Sequence, residues 1–246
     1  MIRKLSLALL LTLPSMSVAI DLEGYYITAK GGVSKTFNTG TTNHVDDQGV
    51  LGTFENNDLG TGKAFGVSVA KFLTDSFRLE IEAIKRTDYK FNVKRTLRPE
   101  LGIFNRKAKI KTHALFINGF YDFEPSSLLD TIITPYLGGG VAISKNKMGT
   151  EEFSLNGVLN ATNGDTTNQF AYKLSVGTLI SLTQQLSLDV NYQYVNLGEF
   201  KGGTERFNDG VPTGIVNGIS TNLQRGMNGG EIKTQELMVG LQYTFK

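Results

Sequence analysis

Histidines, aspartates and glycines are the residue types in this chain whose spacing could support chemistry. The chain has two histidines, and the first of them, His44, lies beside Asp46 and Asp47. A carboxylate next to an imidazole could orient it as the general base of a serine hydrolase. No activated serine motif accompanies these residues, and His113 stands in an alternating apolar run. The sequence therefore predicts a solvated loop histidine at position 44 and no catalytic residue.

Metal and phosphate sites are also not indicated. Asp46, Asp47 and Asp58 could offer oxygens to calcium, but their spacing matches no EF-hand loop. The chain has no cysteine, which excludes disulfides and thiolate metal sites. Gly31-Gly32 and Gly138–Gly140 lie inside predicted strands with no following helix, so they do not form a phosphate-binding turn. We expect no metal and no cofactor.

The first residues have the order of a secretory signal peptide. Arg3 and Lys4 precede the apolar run Leu5–Leu13, and Ser17–Ala19 has the small residues of a cleavage site. We therefore predict a signal peptide over residues 1–19 and one domain over residues 20–246. The 25 basic residues then become 23, which equals the 23 acidic ones. This neutral balance argues against nucleic acid as a partner.

In eight runs of the sequence, apolar and polar side chains alternate, and this period of two residues is typical of β-strands. Any functional residue would have to be held by these strands or by the links between them. The links between them alternate in length, with short links at 73–76 and 182–185 and an intermediate one at 124–133. The long links cover 35–62, 87–107, 145–168 and 196–232. These features predict an all-β fold, a transmembrane up-and-down antiparallel β-barrel with eight strands, short periplasmic turns and four long extracellular loops. We interpret the long links as solvated loops, because they are too polar to favour further strands.

The apolar face of the barrel is expected to contact lipid. The opposite face carries many small residues, whereas a water-exposed surface would carry more long charged side chains. Aromatic residues near strand ends predict two interfacial girdles. They are Tyr25, Phe77, Tyr121 and Phe245 near the end of the barrel with the short links, which we call the tight end, and Phe37, Tyr89, Phe170 and Tyr194 near the end with the long links. The alternative is a soluble exported barrel that binds an apolar ligand.

Charged residues on the other face are predicted to fill the lumen. An eight-stranded barrel has just enough interior space for side chains, and buried charges must be paired or hydrogen-bonded. We expect a neutralising network of seven residues that acts as a structural polar plug. They are Lys30, Arg78, Glu80, Glu82, Arg86, Lys173 and Asp189. The functional alternative for the same residues is an ion-selectivity filter.

Four segments resemble the eight-stranded outer-membrane surface proteins of Gram-negative bacteria, which include the opacity, OmpA-barrel and OmpX-like families. They are Asn118–Phe123, Pro135–Val141, Leu186–Tyr194 and Leu237–Phe245. The resemblance is closest to the Msp4-like surface antigens. It implies an outer-membrane location, surface exposure and adhesion to host receptors. It also implies a C-terminal signal for the insertion machinery, although Lys246 follows its aromatic end. The signal residues are Leu237, Val239, Leu241, Tyr243 and Phe245.

Our leading hypothesis is an outer-membrane surface antigen whose barrel displays long loops. The expected partners are outer-membrane lipid and lipopolysaccharide, the insertion machinery and host-cell receptors. One alternative is a narrow porin for small solutes. Another is a lipid-modifying enzyme, which is disfavoured because neither histidine starts the His-x-Ser arrangement expected of a barrel lipid-A deacylase. The sequence thus predicts a protein that is not an enzyme.

Overall fold

The structure is a computed structural model that describes most of the chain beyond its first segment. The described residues are 22–37, 41–45, 51–55, 58–96, 103–128, 131–155, 158–208, 211–212, 215–216, 219–220 and 225–245. The predicted signal peptide, residues 1–19, lies outside them, as do Asp46, Asp47 and Lys246. In these ranges no helix has the length and apolar character needed to cross a membrane.

Within the described residues, eight long strands form a closed barrel. They are β1 (Tyr25–Thr36), β2 (Thr61–Phe72), β3 (Phe77–Thr96), β4 (Ile103–Asp122), β5 (Thr131–Met148), β6 (Thr166–Ser181), β7 (Leu186–Asn208) and β8 (Arg225–Thr244). Each strand pairs antiparallel with the next, and β8 also pairs with β1, which closes the ring. The predicted fold class is confirmed.

The tight end of the barrel carries two turns of the same design. In the turn after β2, the hydroxyl of Thr74 accepts hydrogen bonds from the amides of Ser76 and Phe77. In the turn after β6, Thr183 accepts the same bonds from Gln185 and Leu186. A threonine at the start of each turn thus satisfies amides that the ladder leaves free.

At the other end, much of the four long links is β-structure, so our expectation that they are solvated loops throughout is wrong. β3, β4 and β7 continue well beyond the predicted strand ends. Short strands occupy further parts of the links: Thr41–Val45, Leu51–Glu55, Glu151–Leu155, Val158–Gly164, Val211–Pro212, Ile215–Val216 and Ile219–Ser220. Polar residues form these strands because pairing with neighbours outweighs weak intrinsic β-propensity. One more short strand, Ser126–Leu128, lies at the tight end and pairs with β5. We call the strand segments beyond the apolar band, with the short strands on them, the extracellular extension.

The outer wall has an apolar band that all eight strands share. Its exposed residues include Ile27, Val33, Phe65, Val67, Val69, Phe77, Leu79, Ile81, Leu115, Ile117, Leu137, Val141, Ile143, Phe170, Leu174, Val176, Tyr192, Leu237, Val239 and Leu241. Aromatic rings meet at its edges, for example Phe77 with Tyr121 at 5.2 Å and Phe37 with Tyr194 at 5.8 Å between centroids. This is the expected lipid-facing surface.

Tyr89, which we predicted as a girdle residue, instead lies fully buried inside the barrel. The register between β3 and β4 shifts between Arg86 and Tyr89, and Asp88 has a φ of 71°. A bulge inserts an extra residue, so it reverses which side chains point inward. Strict alternation from Phe77 would have pointed Tyr89 outwards, and the bulge turns it into the lumen.

Close approach of strands β4 and β5 requires a glycine at position 140. A Cβ there would lie 2.6 Å from the carbonyl oxygen of Ile117, whereas a Cβ at Gly119 would meet nothing within 4 Å. We expect Gly140→Ala to lower the free energy of unfolding by about 1–3 kcal/mol, because backbone must move to admit the methyl group. Urea titration of the refolded barrel in detergent measures this change. Gly119→Ala is the matched control, and an equal effect of both variants would contradict the explanation.

Candidate functional site

The lumen contains an ionic cluster centred on Glu82, which β3 points inward. Lys30 of β1 lies 3.0 Å from Glu82, and Lys173 of β6 forms a second ion pair with the same carboxylate. Asn118 donates a hydrogen bond of 3.2 Å to Glu82 and one of 2.9 Å to Glu80. All five side chains are buried, so each charge depends on these partners rather than on water.

A second cluster surrounds Glu236 on β8. Arg86 donates to it through two nitrogens, at 2.5 and 3.0 Å, and both residues are fully buried side chains. The same carboxylate accepts hydrogen bonds from three neutral groups. These are the side chains of Ser34, Gln193 and Thr234. The bidentate pair with neutral donors around it compensates the burial of a full charge.

The third cluster lies towards the tight end. Arg78 pairs with Asp122 at 2.8 Å and stacks on Phe120, with 4.7 Å from the guanidinium carbon to the ring centroid. Asp189 accepts a hydrogen bond of 2.7 Å from Tyr136. The arginine therefore sits between a carboxylate and an aromatic face, which favours a guanidinium over an ammonium.

The structure thus places all seven predicted network residues in the lumen, in three separate clusters instead of one. Sequence reasoning missed Asp122 and Glu236, which supply the carboxylates for Arg78 and Arg86. Both stand on the polar side of an alternating run, so the same parity rule would have found them. Among the described lumen residues at membrane depth, four cations therefore face five carboxylates.

Above this polar layer the lumen becomes apolar. Leu59, Tyr89, Phe91, Ile110 and Phe200 are among the buried side chains there, and they belong to one packed cluster. The ionic clusters and this apolar layer lie one above the other inside the barrel.

A further ion pair lies in the extracellular extension, where Arg106 meets Glu151 at 3.3 Å. Burial raises the pKa of the Glu151 carboxyl, and the charge of Arg106 only partly opposes this shift. The pair shows that the extension has an interior of its own.

Asp58 and His113, which the sequence offered as candidates for metal binding or catalysis, lie outside the ionic clusters of the lumen. Asp58 accepts hydrogen bonds of 2.7 Å from Thr36 and from the amide of Gly60, which is a local cap. His113 faces outwards from β4. Within the described ranges, no group of three or more histidine or acidic side chains is arranged to hold a metal ion. The predicted insertion signal runs along β8, where its residues up to Tyr243 are exposed on the apolar band.

Comparison with known proteins connects this geometry with a family. The profile of the outer membrane protein beta-barrel domain matches residues 5–245. The chain belongs to this family. The outer membrane protein beta-barrel family places the protein in the outer membrane of a Gram-negative bacterium, with the apolar band in lipid and the extracellular extension at the cell surface.

Two relatives and one solved structure resemble this member of the family. Outer membrane protein PagN of Salmonella typhimurium is 25% identical over 72% of this chain and 76% of its own length. The putative adhesin RC1281 of Rickettsia conorii is 26% identical over 87% and 84%. The crystal structure of the outer membrane protease OmpT from Escherichia coli covers 92% of this chain and 98% of its own, with a TM-score of 0.51 and 11% identity. That likeness shows the fold alone, and a shared barrel does not decide between catalysis and display.

Proposed function

We propose that this outer-membrane protein is an adhesin that presents its extracellular extension to host cells and performs no catalysis. The observation that carries the proposal is the continuity of strands from the apolar band into the extension. In the hairpin of β3 and β4, pairing continues from Phe77 opposite Tyr121 to Thr96 opposite Ile103. Strands hold a contact surface in one geometry, so binding would require little ordering of the chain.

The name of one relative supports the same proposal. RC1281 of Rickettsia conorii is described as a putative adhesin, and the similarity covers 84% of that protein. The candidate binding partners are host-cell surface receptors. Outer-membrane lipid surrounds the apolar band of the barrel. The structured hairpins on the extension are the parts of this chain that a receptor would meet first.

The packed interior argues against the alternative of a narrow porin. Buried ion pairs and an apolar cluster lie inside the lumen, and a path between them would have to displace these charges. The enzyme alternative has no support from the described histidine side chain, because His113 has Lys85 and Lys145 directly opposite it instead of a carboxylate. A catalytic base needs a group that orients it and a substrate site beside it.

The two ends of the chain are suited to export and to insertion into the outer membrane. We infer that residues 1–19 direct secretion and are removed, and that β8 with its outward residues is the segment that the insertion machinery reads. Tyr243 and Phe245 contact each other at 5.3 Å between ring centroids, at the edge of the apolar band. An aromatic pair there also anchors the last strand at the interface.

Removal of one hairpin from the extension tests the adhesin proposal. We expect deletion of residues 38–57 to reduce bacterial attachment to cultured host cells towards the level of an empty vector. Thr36 and Gly60 are joined by a backbone hydrogen bond of 3.1 Å, so the chain can close across the gap and preserve the barrel. A second deletion, residues 151–164, can close in the same way because the amide of Met148 donates to Asp165 at 3.0 Å.

The control for both deletions is Asp75→Ser in the tight turn, which faces the periplasm and should leave attachment unchanged. Heat-modifiable migration on gels verifies that each variant is a folded barrel. Attachment at the level of the intact protein, with both hairpins removed from a folded barrel, would contradict the proposal.

A further inference from the structure

A ladder of basic side chains lies on the outer wall, just beyond the extracellular edge of the apolar band. Lys85 of β3 is directly opposite His113 of β4, and His113 is directly opposite Lys145 of β5. All three side chains are exposed and point away from the lumen. Directly opposite side chains in an antiparallel sheet have Cβ atoms about 4.5–5.5 Å apart, so the side chain of His113 lies beside both lysines.

The positive charge continues upwards from this first row. Lys111 is opposite Lys147 in the next row, and Lys90 is opposite Lys109 in the row after it. Among the described side chains near these rows, the exposed acids are Asp88, Glu152 and Asp165, against five lysines and His113 in the three rows and Lys107 beyond them.

The described residues provide no ion-pair partner for these lysines. Within the described part of the chain, none of the ladder's side chains belongs to an ion pair. On β8, by contrast, Lys233 is paired with Glu231 at 2.7 Å. An uncompensated cluster of cations is stabilised when an external anion neutralises it, so the ladder is suited to an anionic ligand.

A shallow apolar groove, open to the surroundings, lies immediately below the first row. It has a volume of about 460 Å³, and Lys85 and His113 form its upper lining. Its floor is at Ala83, a small residue on a wall where Phe65 and Leu115 are large and exposed. A cationic row above an apolar groove matches a molecule with an anionic headgroup and hydrocarbon chains.

We propose that this wall of the barrel binds a phosphorylated glycolipid of the outer leaflet, of the lipid A type. Lys85, His113 and Lys145 contact its phosphate, and an acyl chain lies in the groove over Ala83. Charge-assisted hydrogen bonds from several cations to one phosphate are strong and specific. The site faces sideways at the lipid boundary, which favours a lipid over a soluble sulfated glycan. It is independent of the adhesin proposal, since neither hairpin deletion removes a ladder residue.

Binding of bisphosphorylated lipid A to the full chain in a neutral detergent tests the proposal. We expect the double variant Lys85→Gln/Lys145→Gln to bind about tenfold more weakly, because it removes two charges from the phosphate contact. The matched control, Lys35→Gln/Lys201→Gln, removes two exposed lysines from β1 and β7 and should change the dissociation constant less than about twofold. Heat-modifiable migration verifies folding of each variant.

Further measurements distinguish the contribution of the phosphate from that of the acyl chains, and binding of a lipid from binding of a glycan. Ala83→Phe fills the groove without changing charge, and we expect it also to weaken lipid A binding about tenfold. Lipid A without phosphates should bind more weakly than the intact lipid. The proposal is overturned if the ladder variant and its control bind lipid A equally, or if the dephosphorylated lipid binds as well as the intact one. It is also overturned if a heparin-derived sulfated oligosaccharide binds through the ladder and lipid A does not.

Discussion

Glu82→Gln will lower the free energy of unfolding of the barrel by about 3–5 kcal/mol, the usual effect of breaking a buried ion pair. The variant keeps the size of the side chain and removes only its charge. Two ammonium groups, Lys30 and Lys173, then remain buried beside a neutral amide. Glu80 lies 3.5 Å from Lys30 and offers that lysine some compensation, so Lys173 carries most of the penalty.

The control for this variant is Glu231→Gln, which breaks the exposed pair with Lys233. Their side chains are 48% and 28% exposed, and such a surface pair contributes at most about 1 kcal/mol. Urea unfolding of both variants in the same lipid or detergent gives the two values. If the two substitutions had similar effects, the lumen ion pairs would not be a main source of barrel stability.

The second large loss of stability is expected when the buried ion pair of Arg86 and Glu236 is broken. A double-mutant cycle measures the interaction energy between these two charges. Arg86→Met alone leaves a buried carboxylate with neutral donors only, and Glu236→Gln alone leaves a buried guanidinium. Each single variant should lose about 3 kcal/mol or more. The double variant removes both charges, so it should be more stable than the sum of the two losses predicts by about 1–3 kcal/mol.

Chemical unfolding of the four proteins measures this coupling, and conservation of the slope with urea checks that each unfolds in the same manner. Additive effects would mean that the two charges do not interact in the folded barrel. Far from this pair, the exposed pair of Lys233 and Glu231 should give a coupling close to zero by the same cycle.

The polar and apolar layers of the lumen explain why a small barrel can carry a long extension. At membrane depth the ion pairs link different strands, for example β1 to β3 through Lys30 and β3 to β6 through Glu82. Above them, Phe91 of β3 packs against Phe200 of β7 at 6.0 Å between ring centroids. Contacts across the interior thus support the extension where lipid no longer surrounds the wall.

The sequence by itself determined the number of membrane strands, their order and the face that meets lipid. Period two is a property of single strands, so alternation such as that of Leu186 to Tyr194 can be read without knowing any neighbour. The same parity assigned Lys30, Glu82 and Arg86 to the interior. Lengths of the links then indicated which end lies at the cell surface.

Only the tertiary structure decided which interior charges meet and how far the strands extend. Partners such as Arg86 and Glu236 are 150 positions apart, and their contact depends on the register of the whole ring. The bulge near Asp88 turned Tyr89 inward against the alternation of its own strand. The described parts of the long links are largely strands, because neighbouring strands offer hydrogen bonds that composition does not encode. The ladder of Lys85, His113 and Lys145 likewise exists only across three strands, and so no single segment of the sequence reveals it.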